Sequence, residues 1–384
     1  MIADDTVRPA TPLAQRQLTT LAELDACAQH WDELHEADVH GHVFLGRRWL
    51  RACLPLVRGR WRILTLSEGG ALLAALPLVL RPIPGPRIPL ARELAFATDP
   101  IADYQGLLCR SGHEVAAVEA FAETIRRLPW DFAAFNNVSD ERVAALLTRL
   151  APCGRLAATG GTRCLSVALP ETYAAFEQTL GRATRQHTRR YVRQLEALPG
   201  FSLSAASDSD IDAHVDALLK LNYARWGGSL KNARKKYGAL FRAAHANGCL
   251  RLLVVWSASA PVAAAASFVD RAHRTYSYYQ TGFNVDLARL SPGRAIVSLA
   301  IRDAIELDYR VFDFLRGDEP YKRAFAKTLT LTTDHRVAKR SFRAALFDAA
   351  MPAHRALKAA AVRVVYGKRR RAQAEPASVD DPSA

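Results

Sequence analysis

The sequence predicts an α/β (α+β) fold built from two tandem copies of one unit, and three observations carry that prediction. The chain has 384 residues, too many for one core of ordinary size and suited to two of roughly 150 to 190 residues. A hairpin pattern, Trp61–Leu66 and Ala71–Leu80 around Ser67-Glu68-Gly69-Gly70, returns as Arg251–Val255 and Val262–Val269 around a Ser/Ala turn at 257–260. A helix then a strand, 114–128 and 131–135, returns as 292–307 and 311–315.

Taken in order, residues 1–18 are polar and read as a loose, flexible lead-in. The first domain is expected over 19–160. Apolar spacing predicts helices over Leu21–Leu34 and about Arg48–Val57, then the hairpin, a Pro-rich loop at Arg81–Pro89, and a strand over Asp103–Leu108. Tyr279-Gln280-Thr281-Gly282-Phe283 echoes Tyr104-Gln105-Gly106-Leu107. The second domain is expected over 161–345. It opens with a basic helix in which Arg182, Arg185, Arg189 and Arg193 share one face, while Tyr191, Leu195 and Leu198 take the other. Such a face is either a solvated helix or a seat for a phosphate-bearing substrate or acidic partner. Residues 346–384 form a basic segment, Arg355 to Arg371, and a disordered Pro/Ser/Asp tail, with contact to an anionic membrane as one possible use.

The formal charge of +14 favours acidic partners: nucleotide cofactors, phosphorylated or carboxylated substrates, nucleic acid or anionic lipid. The six cysteines show no C-x-x-C pair and no partnering His spacing, so no metal or redox centre is expected. Acids at Asp4 and Asp5 speak against a signal peptide, and the longest apolar run, Ala71–Leu80, is about half a membrane span. A cytoplasmic protein is expected, with the inner face of the membrane as a further possibility.

The stretch Tyr276–Lys322 organises the second copy. At Leu290-Ser291-Pro292-Gly293-Arg294 a long apolar helix begins: Ser291 can cap it, Pro292 loses no hydrogen bond there, and Gly293 admits close approach. The amides of 293 to 295 would then face an anion with Arg294 beside them. An ordinary capped core helix is the plainer alternative. The first copy starts its helix with Glu114, so an anion site is expected only in the second.

Tyr278-Tyr279-Gln280-Thr281-Gly282-Phe283, Leu290-Ser291-Pro292-Gly293, Phe312-Asp313-Phe314-Leu315-Arg316-Gly317-Asp318 and Tyr321-Lys322 together resemble the GNAT acyltransferase superfamily. More narrowly they resemble its double-domain branch, CelD-like and FemAB-like. Phe44 with Trp49, Asp103-Tyr104 and the arginine helix support the match, which spans roughly 20–340. The resemblance implies two tandem GNAT-like domains, each a mixed twisted sheet flanked by helices, with two neighbouring strands splayed around an acyl donor. It places Tyr279 and Gln280 on the strand that pairs with the donor's pantetheine arm, and Ser291, Pro292, Gly293, Arg294 and Ala295 on its pyrophosphate. Leu290 stands where the family's loop carries Arg or Gln.

Acyl transfer from a thioester needs a proton acceptor, oxyanion donors and a proton for the thiolate. Asp313 is the expected acceptor, since apolar neighbours on its strand would raise its pKa; the alternative is a structural Asp tying down the next loop. Tyr321 and Tyr278 are the candidate acids, and Lys322 steadies an oxyanion or a phosphate. Arg182, Arg185, Arg189 and Asp318 are the candidate substrate contacts. The leading reading is an N- or O-acyltransferase using acetyl-CoA or another acyl-CoA on a small-molecule or glycan acceptor, in polysaccharide or envelope synthesis. A Fem-like transferase using aminoacyl-tRNA and a non-catalytic scaffold of exopolysaccharide assembly are the alternatives.

Overall fold

The structure, a computed structural model, describes residues 12–350 apart from 86, 87 and 228. Residues 1–11 of the expected lead-in, the basic segment 355–371 and the tail lie outside the described residues, and Ala14–Leu18, expected to be loose, are a strand held by pairing with residues 63–67. No helix among the described residues is long and apolar enough to cross a membrane.

Both halves are laid on one 13-stranded mixed sheet. The first half supplies β1 (Ala14–Leu18), β2 (Arg60–Glu68), β3 (Ala71–Gly85), β4 (Ile88–Phe96), β5 (Leu108–Cys109) and β6 (Phe132–Val138). The second supplies β7 (Gly154–Ala168), β8 (Phe201–Ala205), β9 (Leu250–Ser257), β10 (Ala260–Asp270), β11 (Thr275–Phe283), β12 (Val311–Arg316) and β13 (Thr328–Lys339). Their order is β1-β2-β3-β4-β6-β13-β7-β12-β11-β10-β9-β8, with β5 on β3.

The repeat predicted from sequence is present in space. Each copy has an antiparallel hairpin, β2-β3 or β9-β10, then a third antiparallel strand, β4 or β11, then a parallel partner, β6 or β12. The crossovers carry helices Glu114–Arg127 and Pro292–Glu306, as parallel pairing requires. Between the copies stand β7 and β13, antiparallel to each other; β13 also pairs with β6. The expected boundary at 160/161 therefore falls inside β7, and a late strand lies beside the first half.

Three local expectations are corrected. Leu21–Leu34 is not one helix but two, Leu21–Ala26 and Ala28–Ala37, parted at Cys27. Within the expected loop Arg81–Pro89, residues Arg81–Gly85 and Ile88–Pro89 are strand: β2 stops pairing at Leu80, so Pro82 sits where only β4 flanks β3 and a missing N–H is tolerated. Asp103–Leu107 is loop and only Leu108 of the expected strand enters β5, because the side chains of Asp103 and Tyr104 are drawn into contacts with the second half. The true counterpart of β11 is thus β4, not the Tyr104-Gln105 motif. Helices Ile211–Trp226 and Ala239–Ala246 were not foreseen.

On one face of the sheet a single core joins the halves. Trp31, Trp49, Phe44 and Leu50 from the first pack with Leu218, Phe241, Phe268 and Leu315 from the second. The Trp49 and Phe268 ring centroids are 4.4 Å apart. On the other face each half has its own core, under helices Glu114–Arg127 and Glu141–Leu150 or under Arg182–Glu196 and Pro292–Glu306. Because the shared core must break for either half to open, Trp49→Ala is expected to cost about 3–5 kcal/mol and to leave one cooperative urea transition instead of two. Two separated transitions monitored by fluorescence and circular dichroism would show the halves to be independent.

Candidate active site at a strand fork

β11 and β12 pair only over Thr275–Ser277 and Val311–Asp313; beyond these three pairs the strands separate. The cause is local. The Asp313 carboxylate turns back to accept the Leu315 amide (Oδ1, 2.7 Å), Leu315 takes φ 57°, and the register of β12 on β7 breaks before Arg316. The splayed pair expected from the family resemblance is therefore present in the second copy. In the first copy the equivalent pair, β4 and β6, also parts after three residue pairs, but the chain's own Gln105 bridges to Val138 and fills the space.

The first half reaches into the second-half fork. Tyr104 donates its hydroxyl to Asp313 Oδ2 (3.0 Å), and Asp103 holds Arg316 through its Nε (2.6 Å) and amide (3.2 Å). Arg316 also reaches Asn137 Oδ1 (3.3 Å), while Tyr279 donates to the carbonyl of Ile101 (3.0 Å). Burial pushes the Asp313 carboxyl up to about 6, although the Leu315 amide and Tyr104 hydroxyl favour its ionised form. Burial likewise raises the Tyr104 phenol, with Asp313 adding to it, so this proton stays on oxygen. Burial also raises Asp103, against the charge of Arg316.

A cleft of about 550 Å³ opens at this fork, lined by Asp103, Asn222, Tyr223, Tyr237, Tyr279 and Arg316, with Gln280 on the unpaired stretch of β11. Helix Ile211–Trp226 forms one wall. A Cβ on Gly282 would lie 2.5 Å from the Asn222 nitrogen, so only glycine lets helix and strand backbones meet there. Asn222 Nδ2 donates to the Thr281 carbonyl (2.7 Å).

The helix start differs from the expected open socket. Ser291 lies in the left-handed region (φ 54°) and its side chain caps no amide. Arg294 and Ala295 both donate to the Ser291 carbonyl (3.0 and 3.1 Å), so of the three amides expected free, only that of Gly293 has no described partner. Phe283 covers Gly293: a Cβ there would meet its ring at 2.7 Å. Pro292 and Ala295 are buried, whereas Arg294 is exposed, 6.0 Å from the Tyr191 ring. Burial would raise the Tyr191 phenol, yet hydrogen bonds with Arg190, Ser291 and Arg294 bring it below its ordinary value.

Helix Arg182–Glu196 presents its arginines outward as expected, and Arg182 and Arg185 have no carboxylate partner among the described residues. Arg189 is taken by Glu177 (2.7 Å). Asp318 is clamped by Arg323 on both oxygens and by Arg163 on one, which lowers its pKa. Lys322 is buried, its Nζ bonded to the Arg316 carbonyl (2.6 Å) and Glu319 (2.9 Å), a brace for the loop after β12. Tyr278 is buried on the opposite face from Tyr279, its hydroxyl without a close hydrogen-bond partner among the described residues. Tyr321 is half-buried; burial raises both phenols, with Tyr321 adding to the effect at Tyr278 and Glu319 at Tyr321, while Arg225 opposes both. Arg316, Asn222, Tyr223 and Tyr237 are cleft residues that sequence reasoning did not single out; only Arg316 stood within a quoted motif.

Comparisons with known proteins bear on the fold that holds this fork. Residues 182–323 match the family model for an acetyltransferase (GNAT) domain. The crystal structure of FemX is similar over 87% of this chain and 99% of that one, at 10% identity and TM-score 0.63. The C-terminal domain of a putative lysylphosphatidylglycerol synthetase from Agrobacterium fabrum is similar over 86% and 96%, at 16% identity and TM-score 0.53. L-PGS from Bacillus licheniformis follows, over 84% and 94%, at 10% identity and TM-score 0.52. These identities speak for shared fold. No curated protein matches the sequence. Residues 182–323 thus resemble a GNAT domain, and the chain as a whole shares the fold of FemX.

Because the folded Asp313 binds its proton more tightly than an exposed aspartate, its contribution to stability is present below the ordinary value of 3.8 and is lost as pH rises through about 6. Asp313→Asn is expected to remove this slope, so that urea midpoints of variant and wild type shift in the variant's favour between these limits. A parallel pair of pH curves would exclude a raised Asp313.

Proposed function

We propose that the protein is an acyltransferase that moves an acyl group, most simply acetyl, from coenzyme A to an amine or hydroxyl in the tyrosine-lined cleft. The observation that carries this reading is the open fork with a buried, hydrogen-bonded carboxyl at its apex. The acyl donor would enter between β11 and β12 with its arm along Tyr279–Phe283 and its phosphates toward Arg294, Arg182 and Arg185. The acceptor would lie across Tyr223, Tyr237 and Tyr279, surfaces suited to a sugar or similar ring that offers both apolar faces and hydroxyls.

As the acceptor attacks the thioester carbon, its proton passes to the Tyr104 oxygen while Tyr104 gives its own to Asp313 Oδ2. The C–S bond breaks, and the thiolate takes a proton from Tyr278 or Tyr321, phenols that burial keeps protonated before the step. Lys322 acts through the loop it braces. A place in polysaccharide or envelope synthesis, in the cytoplasm or at a membrane face, fits a glycan acceptor.

Aminoacyl-tRNA as the donor is the second reading, favoured by Phe283 lying over Gly293 and by the outward row of arginines, which suits a longer polyanion. Full-length protein assayed with acetyl-CoA and with aminoacyl-tRNA, against amine and sugar acceptors, separates the two. Under the leading reading acetyl-CoA alone supports turnover, Asp313→Asn and Tyr104→Phe each lower kcat by about 10²–10⁴-fold, and Arg294→Ala mainly raises KM. Turnover only with tRNA selects the second reading, and full activity of Asp313→Asn removes the proposed base.

A further inference from the structure

Away from the cleft, a histidine joins the halves. His273, in the turn between β10 and β11, places Nδ1 3.1 Å from Asp270 Oδ2 and Nε2 3.0 Å from the backbone carbonyl of Asp38. Both neighbours accept hydrogen bonds and neither donates. A neutral imidazole has one N–H, so the two contacts are satisfied together only by the imidazolium.

The surroundings tie this ring to the first half. Asp38 ends helix Ala28–Ala37, and its carboxylate is bonded to Arg142 (3.0 Å) and to the Cys109 amide (2.9 Å), with Asp140 on the far side of Arg142. Gly41 has the His273 ring against its backbone, where a Cβ would lie 2.5 Å from Cε1. The His35 ring stands edge-on to His273 at 4.7 Å, with its Nε2 3.0 Å from the His42 carbonyl and 3.4 Å from Asp270, so it donates there. Burial, with the charge of His35 adding to it, pushes His42 down to about 3, so this ring stays neutral. Burial opposes charge on His273 as well, but the Asp270 bond and charge outweigh it and raise its pKa. The segment held in this way carries His42 and Phe44, whose rings lie 5.8 and 6.5 Å from that of Tyr104.

We propose that His273 is a positioning residue, a doubly protonated clamp between Asp270 and Asp38 that holds residues 38–45 against Tyr104 and releases them when it loses a proton. Loss from Nδ1 sets two acceptors face to face at Asp270; loss from Nε2 breaks the bond to Asp38. Either way one side of the joint opens. Since the folded pKa is raised, the clamp is intact below the ordinary imidazole value of about 6.5 and is lost as pH climbs through the folded value. Its effect on catalysis rests on the proposed Tyr104–Asp313 proton path; the clamp itself does not.

Full-length protein with labelled histidines, titrated by NMR from about pH 5.5 to 9, reads the clamp directly. Hydrogen exchange of residues 38–45, corrected for intrinsic rates, reads its consequence. Both His273 nitrogens are expected to be protonated at the low end, with protection of 38–45 falling by about tenfold as His273 titrates. His273→Gln should show low, pH-independent protection and a loss of that same step from the acyl-transfer pH profile. A single neutral tautomer throughout, protection indifferent to the titration, or a His273 signal governed by added Zn²⁺ would overturn the proposal. The wild-type titration decides even if the variant does not fold. A missing pH step in turnover alongside an intact exchange result would reject the proton path while leaving the clamp.

Discussion

The bond from the Leu315 amide to the Asp313 carboxylate is the constraint on which the rest of this site depends. A parallel strand pair has evenly spaced bonds and no reason to part, unless one strand finds another partner for its backbone. Asp313 supplies that partner within its own strand, and Leu315 accepts a left-handed backbone in consequence. The carboxylate so used is buried, and a buried carboxylate must be bonded on its second oxygen as well. Tyr104, from the other half of the chain, provides that bond. Strand parting and the cross-half contact therefore both follow from this one interaction, while burial raises the carboxyl pKa against it.

The two copies of the unit have diverged around the same topology. In the first, the parallel pair also separates after three residue pairs, but residues 97–107 return to fill the gap and Gln105 bridges β6. That filling segment is also the one that delivers Asp103 and Tyr104 to the second copy. One half has given up its own fork to furnish that of the other, and the shared core around Trp49 and Phe268 keeps the two in register. The joint at His273 lies along the same seam.

Much of this was legible in residue patterns. The hairpins, the two crossover helices and the arginine helix follow from periods of 2 and 3.6 and from turn residues, which act over a few neighbours. Asp313 with apolar neighbours on its strand already implied a raised pKa. β4 was hidden, because proline reads as a breaker until one knows that Pro82 lies beyond the end of β2. The Tyr104-Gln105 echo of Tyr279-Gln280 misled, since the same residue types serve a loop in one copy and a strand in the other. Asp318 and Lys322, charges on a loop in the sequence, are bonded to Arg163 and Arg323 and to Arg316 and Glu319, partners that no local pattern names.

By itself the sequence determined the repeated unit, its helices and most of its strands, and the residue types available near the end of β12, because these depend on local spacing and composition. Tertiary structure alone decided that β7 and β13 fuse the copies into one sheet, that Phe283 lies over Gly293, and that Tyr104 meets Asp313 across 209 positions of chain. Contacts of that kind are selected by the packing of whole layers, and no short-range pattern encodes which distant side chain will arrive.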